Sequence, residues 1–130
     1  ENLIESIFRE ESLWLKVGAV DAMGRSASEV WLPTLIEEME NPAPEMRHAA
    51  AYAAGEIGSE EAIQPLRGLA IHDPDREVQL AAIHGLGEIG GPAAVVALKS
   101  VLYEGDDELR EPVQEAITEA EFYDELTPDL

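Results

Sequence analysis

The sequence predicts an all-α fold, a right-handed α-α superhelix (α-solenoid) of about four short repeats. Residues 47–58 match residues 79–90 at an offset of 32, and fainter copies flank this pair at an offset of 31. Apolar residues recur at helical spacing, as at Ile63, Leu66 and Leu69, and no stretch alternates with period two over a useful length. A repeat this short cannot bury its own apolar face, so we expect the units to stack on one another.

The repeat divides the chain into one helical domain with ordered units. Residues 1–10 are predicted to be the second helix of a partial repeat, and full repeats follow at 12–40, 44–72 and 75–103. Residues 106–121 form a terminal partial repeat, and residues 122–130 form an acidic tail.

The N-terminal partial unit leaves apolar side chains without a partner in the predicted stack. These residues are Leu3, Ile4, Ile7 and Phe8. Because a solenoid needs polar caps at both ends, we expect either that the chain comes from a longer array or that it forms a homodimer through this uncapped edge.

The two helices of each unit have distinct start and stop signals. First helices are Ala-rich, begin at Pro44 or after Asp75, and end at Gly58 and Gly90, which are predicted to take the left-handed conformation. Second helices are expected to begin at Ser28, at Ser59 and at the Gly91-Pro92 pair. Small residues such as Gly85 in the first helices permit close helix approach.

Residues 73–98 read Asp-Pro-x-x-x-Val, then Ala-Ala and Gly-Glu-Ile-Gly, then a second helix with Ala-Val, and residues 41–66 match nearly as well. This pattern resembles the HEAT-like repeats of the phycobilisome-lyase type, over residues 1–121. The resemblance implies that a basic residue at each first-helix start binds acidic loop groups, and those positions hold Lys16, Arg47, Gln79 and Arg110. The structural positions of the repeat are Gly24, Arg47, Gly55, Gly58, Asp75, Gly87, Gly90 and Arg110.

Composition restricts the partners. The chain has 28 Asp and Glu against 8 Lys and Arg, for a formal charge of −20. That balance argues against nucleic acid and anionic membranes, which need clustered basic residues. With no cysteine, no apolar run long enough to span a membrane and no visible signal segment, we expect a cytoplasmic protein.

No pattern in the sequence predicts catalysis, a metal or a cofactor. His48 falls where HEAT-like di-iron hydroxylases place a His-Glu pair, but Ala49 follows it. His84 and Glu88 are four residues apart and are expected to pair near a helix end. We therefore expect a protein that is not an enzyme.

The second helices are expected to line the concave face of the superhelix and to carry the partner-binding residues. Trp14, on a first helix, is expected to cover a terminal edge instead. The predicted binding residues are Trp31, Glu37, Glu38, Glu61, Gln64, Arg67, Lys99 and Tyr103.

These residues predict a non-enzymatic scaffold that binds a basic or mixed-charge protein along an acidic concave face. The resemblance leaves two alternatives open. One is a subunit or accessory factor of a bilin lyase, and the other is a HEAT-repeat segment of a larger enzyme whose chemistry lies elsewhere.

Overall fold

The computed structural model describes residues 2–126, apart from the side chains of Phe8 and of residues 123–126. Within that range the chain forms seven α-helices and no strand, which confirms the all-α prediction. The helices are α1 (Leu3–Arg25), α2 (Leu32–Glu38), α3 (Pro44–Ile57), α4 (Ile63–His72), α5 (Arg76–Ile89), α6 (Gly91–Glu104) and α7 (Arg110–Leu126).

The helices form two layers of an α-solenoid. The first helices α1, α3, α5 and α7 pack side by side in one layer, and the second helices α2, α4 and α6 pack against them in the other. Equivalent leucines from successive second helices, Leu35, Leu66 and Leu98, are fully buried between the layers. The core is therefore a row of repeated contacts along the stack.

Helix starts follow the sequence signals, with one local difference. Pro44 begins α3, and the Asp75 carboxylate caps α5 by accepting hydrogen bonds from the backbone N–H groups of Glu77 (2.9 Å) and Val78 (3.2 Å). Ser28 and Ser59 cap short 3-10 turns, Glu29–Trp31 and Glu60–Ala62, which lead into α2 and α4.

The two predicted glycine caps differ from each other. Gly58 ends α3 in the left-handed helical conformation, with φ 75° and ψ 19°, as expected. Gly90 also has a positive φ of 68°, but its ψ of 180° takes it out of the left-handed helical region. Gly91 follows with φ 84° and begins α6 at once. The left-handed cap predicted for Gly90 is thus wrong, because no loop separates α5 from α6.

The ends of the chain also differ from the predicted boundaries. Residues 3–25 form one continuous helix, so residues 1–10 are not a separate second helix. The junction Glu10-Glu11-Ser12 contains neither Gly nor Pro to interrupt it. At the other end α7 continues past residue 121 to Leu126, and residues 127–130 of the predicted tail lie outside the described residues.

A glycine seats each first helix against the next one. A Cβ on Gly24 would lie 2.7 Å from Ala53 Cα, and a Cβ on Gly55 would lie 2.6 Å from Gly85 Cα. A Cβ on Gly87 would lie 3.3 Å from Ala116 Cβ. These distances are shorter than normal carbon–carbon contacts. The close spacing of the first helices therefore requires glycine, which has no side chain, at these positions.

Arg47 links two repeats, as the sequence predicted. Its Nε and NH2 donate to the two oxygens of Asp73 at 2.7 and 3.1 Å, and NH1 donates to the carbonyls of Asn41 and Pro42. The Asp73 side chain is almost fully buried. The hydrogen bond that the guanidinium donates to Asp73 raises the pKa of Arg47 above its ordinary value, so Arg47 stays charged.

The next junctions use different residues for the same purpose. Gln79 is buried at the position of Arg47, while Lys16 and Arg110 are exposed at the equivalent positions, so the Arg47 arrangement is not repeated there. Arg76 instead reaches the following unit and donates to Asp106 at 2.9 Å and to Glu108 at 3.1 Å.

The two layers differ in how closely their helices pack. α3 packs closely along both α1 and α5, whereas α2 and α4 make few close contacts with each other. That the second helices line the concave face of the superhelix stays a prediction.

Candidate protein-binding groove

A groove of about 590 Å³ lies on the first-helix layer, open to solvent, between α1, α3 and the start of α5. We call it the first-helix groove. Its lining residues come from three successive repeats, namely Trp14, Val17, Asp21, Pro44, Glu45, His48, Ala49, Tyr52, Asp75 and Glu77. The repeat positions them, since the same solvent-facing positions of each first helix line up along the stack.

The first-helix groove combines aromatic surface with carboxylates. Trp14 is 62% exposed and Tyr52 is 43% exposed. The lining residues include four carboxylates and neither Lys nor Arg. The groove therefore offers apolar contact area in a negative field.

The aromatic surface continues from the groove toward α5. The rings of Tyr52 and His84, at equivalent positions of α3 and α5, stack with centroids 5.2 Å apart and planes 15° apart. His84 Nε2 lies 3.0 Å from Glu88 Oε1, at angles that do not make a regular hydrogen bond. The structure thus brings together the His84–Glu88 pair that the sequence predicted, as a close contact.

A smaller cleft of about 160 Å³ follows between α5 and α7 on the same layer. His84 lines it together with Pro112, Glu115 and Glu119. Along the layer, the equivalent positions hold Asp21, Tyr52, His84 and Glu115, so aromatic rings lie between carboxylates at the two ends.

The structure places the predicted binding residues on the other layer. Trp31 lies in the first 3-10 turn, Glu37 and Glu38 in α2, Glu61 in the second 3-10 turn, Gln64 and Arg67 in α4, and Lys99 and Tyr103 in α6. Most of these side chains are exposed, and Tyr103 is 94% exposed. None of them lines the first-helix groove.

Arg67 has an intramolecular role that the sequence did not predict. Its Nε donates to Ser100 Oγ at 2.6 Å, and its NH2 pairs with Glu104. Because Ser100 and Glu104 belong to α6, this guanidinium ties α4 to the next second helix.

The sequence reasoning missed the first-helix groove, and it placed Trp14 at a terminal edge instead of at the groove. His48 and Tyr52 were not among the predicted binding residues either. A signal was present in the repeat: the first helices carry Trp14, His48, Tyr52 and His84 at positions that are not part of the buried repeat pattern. Such side chains on an otherwise plain helix face are typical of a contact surface.

One carboxylate beyond the groove has a perturbed acidity. The pKa of Asp106 is lowered, first because its carboxylate accepts a hydrogen bond from the Glu108 backbone N–H and then because Arg76 pairs with it. Asp106 caps the 3-10 turn Asp107–Leu109 that leads into α7. Its charge therefore serves the fold at this junction.

Over residues 2–126 the structure contains no cluster of three or more His, Asp or Glu side chains arranged to hold a metal ion. In the same part of the chain, no helix has the length and hydropathy needed to cross a membrane.

Two layers of stacked helix pairs, in which glycines allow close helix contacts, define an α-solenoid protein with an open groove on one layer. A family model of HEAT repeats matches residues 1–84 and again residues 32–118. The chain belongs to the HEAT repeat family. The search of curated proteins gave no match. The phycobilisome-lyase type of repeat stays a prediction.

Proposed function

We propose that the chain is a non-enzymatic scaffold that binds a protein partner with basic side chains in the first-helix groove. The observation that carries this proposal is the groove itself, which joins exposed aromatic surface to four carboxylates without a lysine or arginine. HEAT repeats commonly act as protein-interaction scaffolds, and such arrays use extended concave surfaces.

The groove chemistry defines what the partner carries. Trp14 and Tyr52 supply large, rigid contact area, which is the usual composition of interface hot spots. A partner Lys or Arg placed over these rings gains cation–π attraction, and Asp21 and Glu45 then lie within the same site to neutralise it. The overall charge of −20 speeds the encounter with a basic partner.

The predicted second-helix surface is a competing binding face for the same class of partner. It carries the acidic residues Glu37, Glu38 and Glu61. Its Arg67 forms an ion pair with Glu104 of the same chain. We place the partner in the first-helix groove because exposed aromatic rings and carboxylates line one cavity there.

The bilin lyase alternative makes a different demand on the groove. A bilin carries propionate groups, which are anionic at neutral pH and require Lys or Arg for charge pairing. The carboxylates of Asp21, Glu45, Asp75 and Glu77 would repel such a ligand. The charge of the groove thus favours a basic protein over a tetrapyrrole.

Site-specific photo-crosslinking tests the proposal and separates the two faces. One variant carries p-benzoylphenylalanine in place of Tyr52, in the groove, and a matched variant carries it in place of Tyr103, on the second-helix layer. In an extract of the source cell, we expect a defined protein adduct from position 52 and none from position 103. Adding Asp21→Asn and Glu45→Gln should lower the yield at position 52 at least about threefold, because the rim loses two charges.

Each alternative result has a definite meaning for this experiment. An adduct at position 103 alone would move the binding face to the second helices. An adduct at position 52 that is insensitive to the two rim substitutions would contradict the basic partner. No adduct at either position would overturn the scaffold proposal.

A further inference from the structure

The outward side of α1, turned away from α3, carries residues whose equivalents in α3 and α5 are buried. In α3 and α5 the side facing the preceding helix consists of Met46, Ala49 and Ala53, and of Val78, Ala81 and Gly85, all almost fully buried. The equivalent residues of α1 are Leu15, Gly18 and Ala22, and all three are exposed, Leu15 by 77%.

This side of α1 is built to receive another helix. In the chain's own junctions, the small residue at the position of Ala22 contacts a glycine of the preceding helix, as Ala53 contacts Gly24 and Gly85 contacts Gly55. A Cβ on Gly18 would have no atom within 4 Å, so the backbone of α1 is open to close approach there. Ile4 and Ile7 extend the same exposed side toward the start of the helix. Exposed apolar side chains that are contiguous mark an interaction surface.

We infer that this side of α1 is a self-association surface, on which two copies of the chain pack α1 against α1 as an antiparallel pair crossing at Gly18. Two-fold pairing of one surface with itself is the commonest way for a protein to form an oligomer. The Gly55–Gly85 contact inside the chain shows the close crossing that a glycine on each helix permits.

Charge complementarity points to a second copy as the occupant. Glu11, Gly18 and Arg25 are seven residues apart and therefore lie along one stripe of α1. In an antiparallel pair centred on Gly18, Glu11 of each copy lies level with Arg25 of the other, which makes two symmetric ion pairs. The later repeats carry Glu56, Glu88 and Glu119 at the position of Arg25, so the basic residue is particular to this face.

The charge of α1 as a whole also permits self-association. The helix contains three basic and four acidic residues, whereas the rest of this strongly acidic chain has only five basic residues. Two copies that meet through α1 therefore bring together helices of nearly balanced charge, and repulsion between these two helices is small.

Among the described side chains of α7, the position that makes the close contact at the inner junctions is changed. Gln114 and Thr118 are exposed at the positions of Ile83 and Gly87, and the exposed Phe122 follows one turn later. Thr118 has a side chain where the close contact requires a glycine. Head-to-tail packing of α1 on this position of α7 is thus disfavoured relative to pairing of α1 with itself.

Sedimentation equilibrium of the full chain tests the inference over a range of protein concentrations. We expect a mass twice the 14.2 kDa of one chain at high concentration. Leu15→Glu should give a monomer, whereas Val96→Glu, which places the same charge at a similarly exposed apolar site on α6, should leave the dimer intact. Both sites are exposed, so circular dichroism should show unchanged helix content.

A charge swap tests the register of the pair. Glu11→Arg and Arg25→Glu alone should each raise the dimer dissociation constant at least about tenfold, because each puts like charges opposite one another. The double variant has the charge of the original chain and should return to within about threefold of it. A monomer at all concentrations, or a dimer that tolerates Leu15→Glu, would overturn the inference. Failure of the double variant to recover would overturn the antiparallel pairing.

Discussion

Ala27 follows α1 at the position that Gly58 occupies after α3, and both residues have positive φ angles, 54° and 75°. The left-handed conformation costs an L-residue roughly 1–2 kcal/mol through contact of Cβ with the backbone, and glycine avoids this cost. The first repeat thus holds a strained alanine where the second has a glycine. The strain persists because the Ala27 N–H bonds to the Gly24 carbonyl and Ser28 must cap the next turn.

Exchanging the two residue types should change stability in opposite directions. Gly58→Ala should lower the free energy of unfolding by about 1 kcal/mol, and Ala27→Gly should raise it by about 0.5 kcal/mol, since the relief of strain exceeds the extra freedom of the unfolded chain. Urea denaturation of both variants measures these changes, and each is the control for the other because both sites are exposed. Destabilisation by Ala27→Gly would show that Ala27 is not strained.

The sequence predicted backbone conformation correctly at positions where the residue type itself favours that conformation. Gly58, Asp75 and Pro44 are residues that caps and helix starts select, and the structure confirms them. Ala27 gave no such signal, because alanine does not favour a positive φ and only its neighbours impose it. Gly90 was misassigned for a related reason, since the following Gly91 starts a helix directly.

Both members of the Arg47–Asp73 ion pair are replaced at the equivalent positions of the next repeat. Arg47 and Asp73 pair across one junction, and one repeat later the same two positions hold Gln79 and Gly105. Removing only one partner would leave a buried charge without its counterion, which is costly. The loss of both is consistent with that cost, and Arg76 with Asp106 supplies a more exposed substitute.

At the scale of helices, the position of the groove depends on how closely the first helices approach. The Gly55–Gly85 contact brings α3 and α5 together, and the groove lies on that layer. The sequence predicted that small residues permit close approach, but which side chains then line one groove depends on how helices of three repeats pack. Trp14, Tyr52 and Glu77 come together only through that packing, and for this reason the groove was not predicted.

Substitution of helical glycines separates this packing role from helix propensity. Gly55→Ala should destabilise the chain by about 1–3 kcal/mol, because its Cβ would meet Gly85 Cα at 2.6 Å and force α3 and α5 apart. Gly68→Ala in α4 is the matched control, since a Cβ there meets nothing within 4 Å, and it should stabilise by roughly 0.5–1 kcal/mol. Thermal and urea unfolding give both values. Equal effects of the two substitutions would rule out a special role for the Gly55 contact.

α1 is one continuous helix, although the repeat pattern predicted two separate segments. Repeat alignment predicted a break before residue 12, because Leu3, Ile4, Ile7 and Phe8 align with the second half of a unit. A helix continues where no Gly or Pro interrupts it, and residues 9–13 contain neither. The absence of a helix-breaking residue therefore determined the boundary of α1, and the repeat pattern did not.

At the scale of the whole molecule, the net charge of −20 destabilises the folded state, in addition to the attraction that we propose for a basic partner. The described ion pairs engage only a small part of the acidic residues, and those of Arg76 with Asp106 and Glu108 are exposed and contribute little. The remaining carboxylates repel one another across a small surface, and this repulsion is relieved when the chain unfolds and expands.

Salt should therefore stabilise this chain, although it weakens exposed ion pairs. Raising sodium chloride from about 10 mM to about 300 mM shortens the Debye length from about 30 Å to about 6 Å, which screens the repulsion more than the short Arg47–Asp73 pair. We expect the midpoint of thermal unfolding, followed by circular dichroism at one protein concentration, to rise by several degrees. The variant Glu37→Gln with Glu40→Gln, which neutralises two exposed acids at the end of α2, should begin with a higher midpoint and gain less from salt. A midpoint that falls as salt is added would mean that attractive pairs, and not the net charge, dominate the electrostatic free energy of this fold.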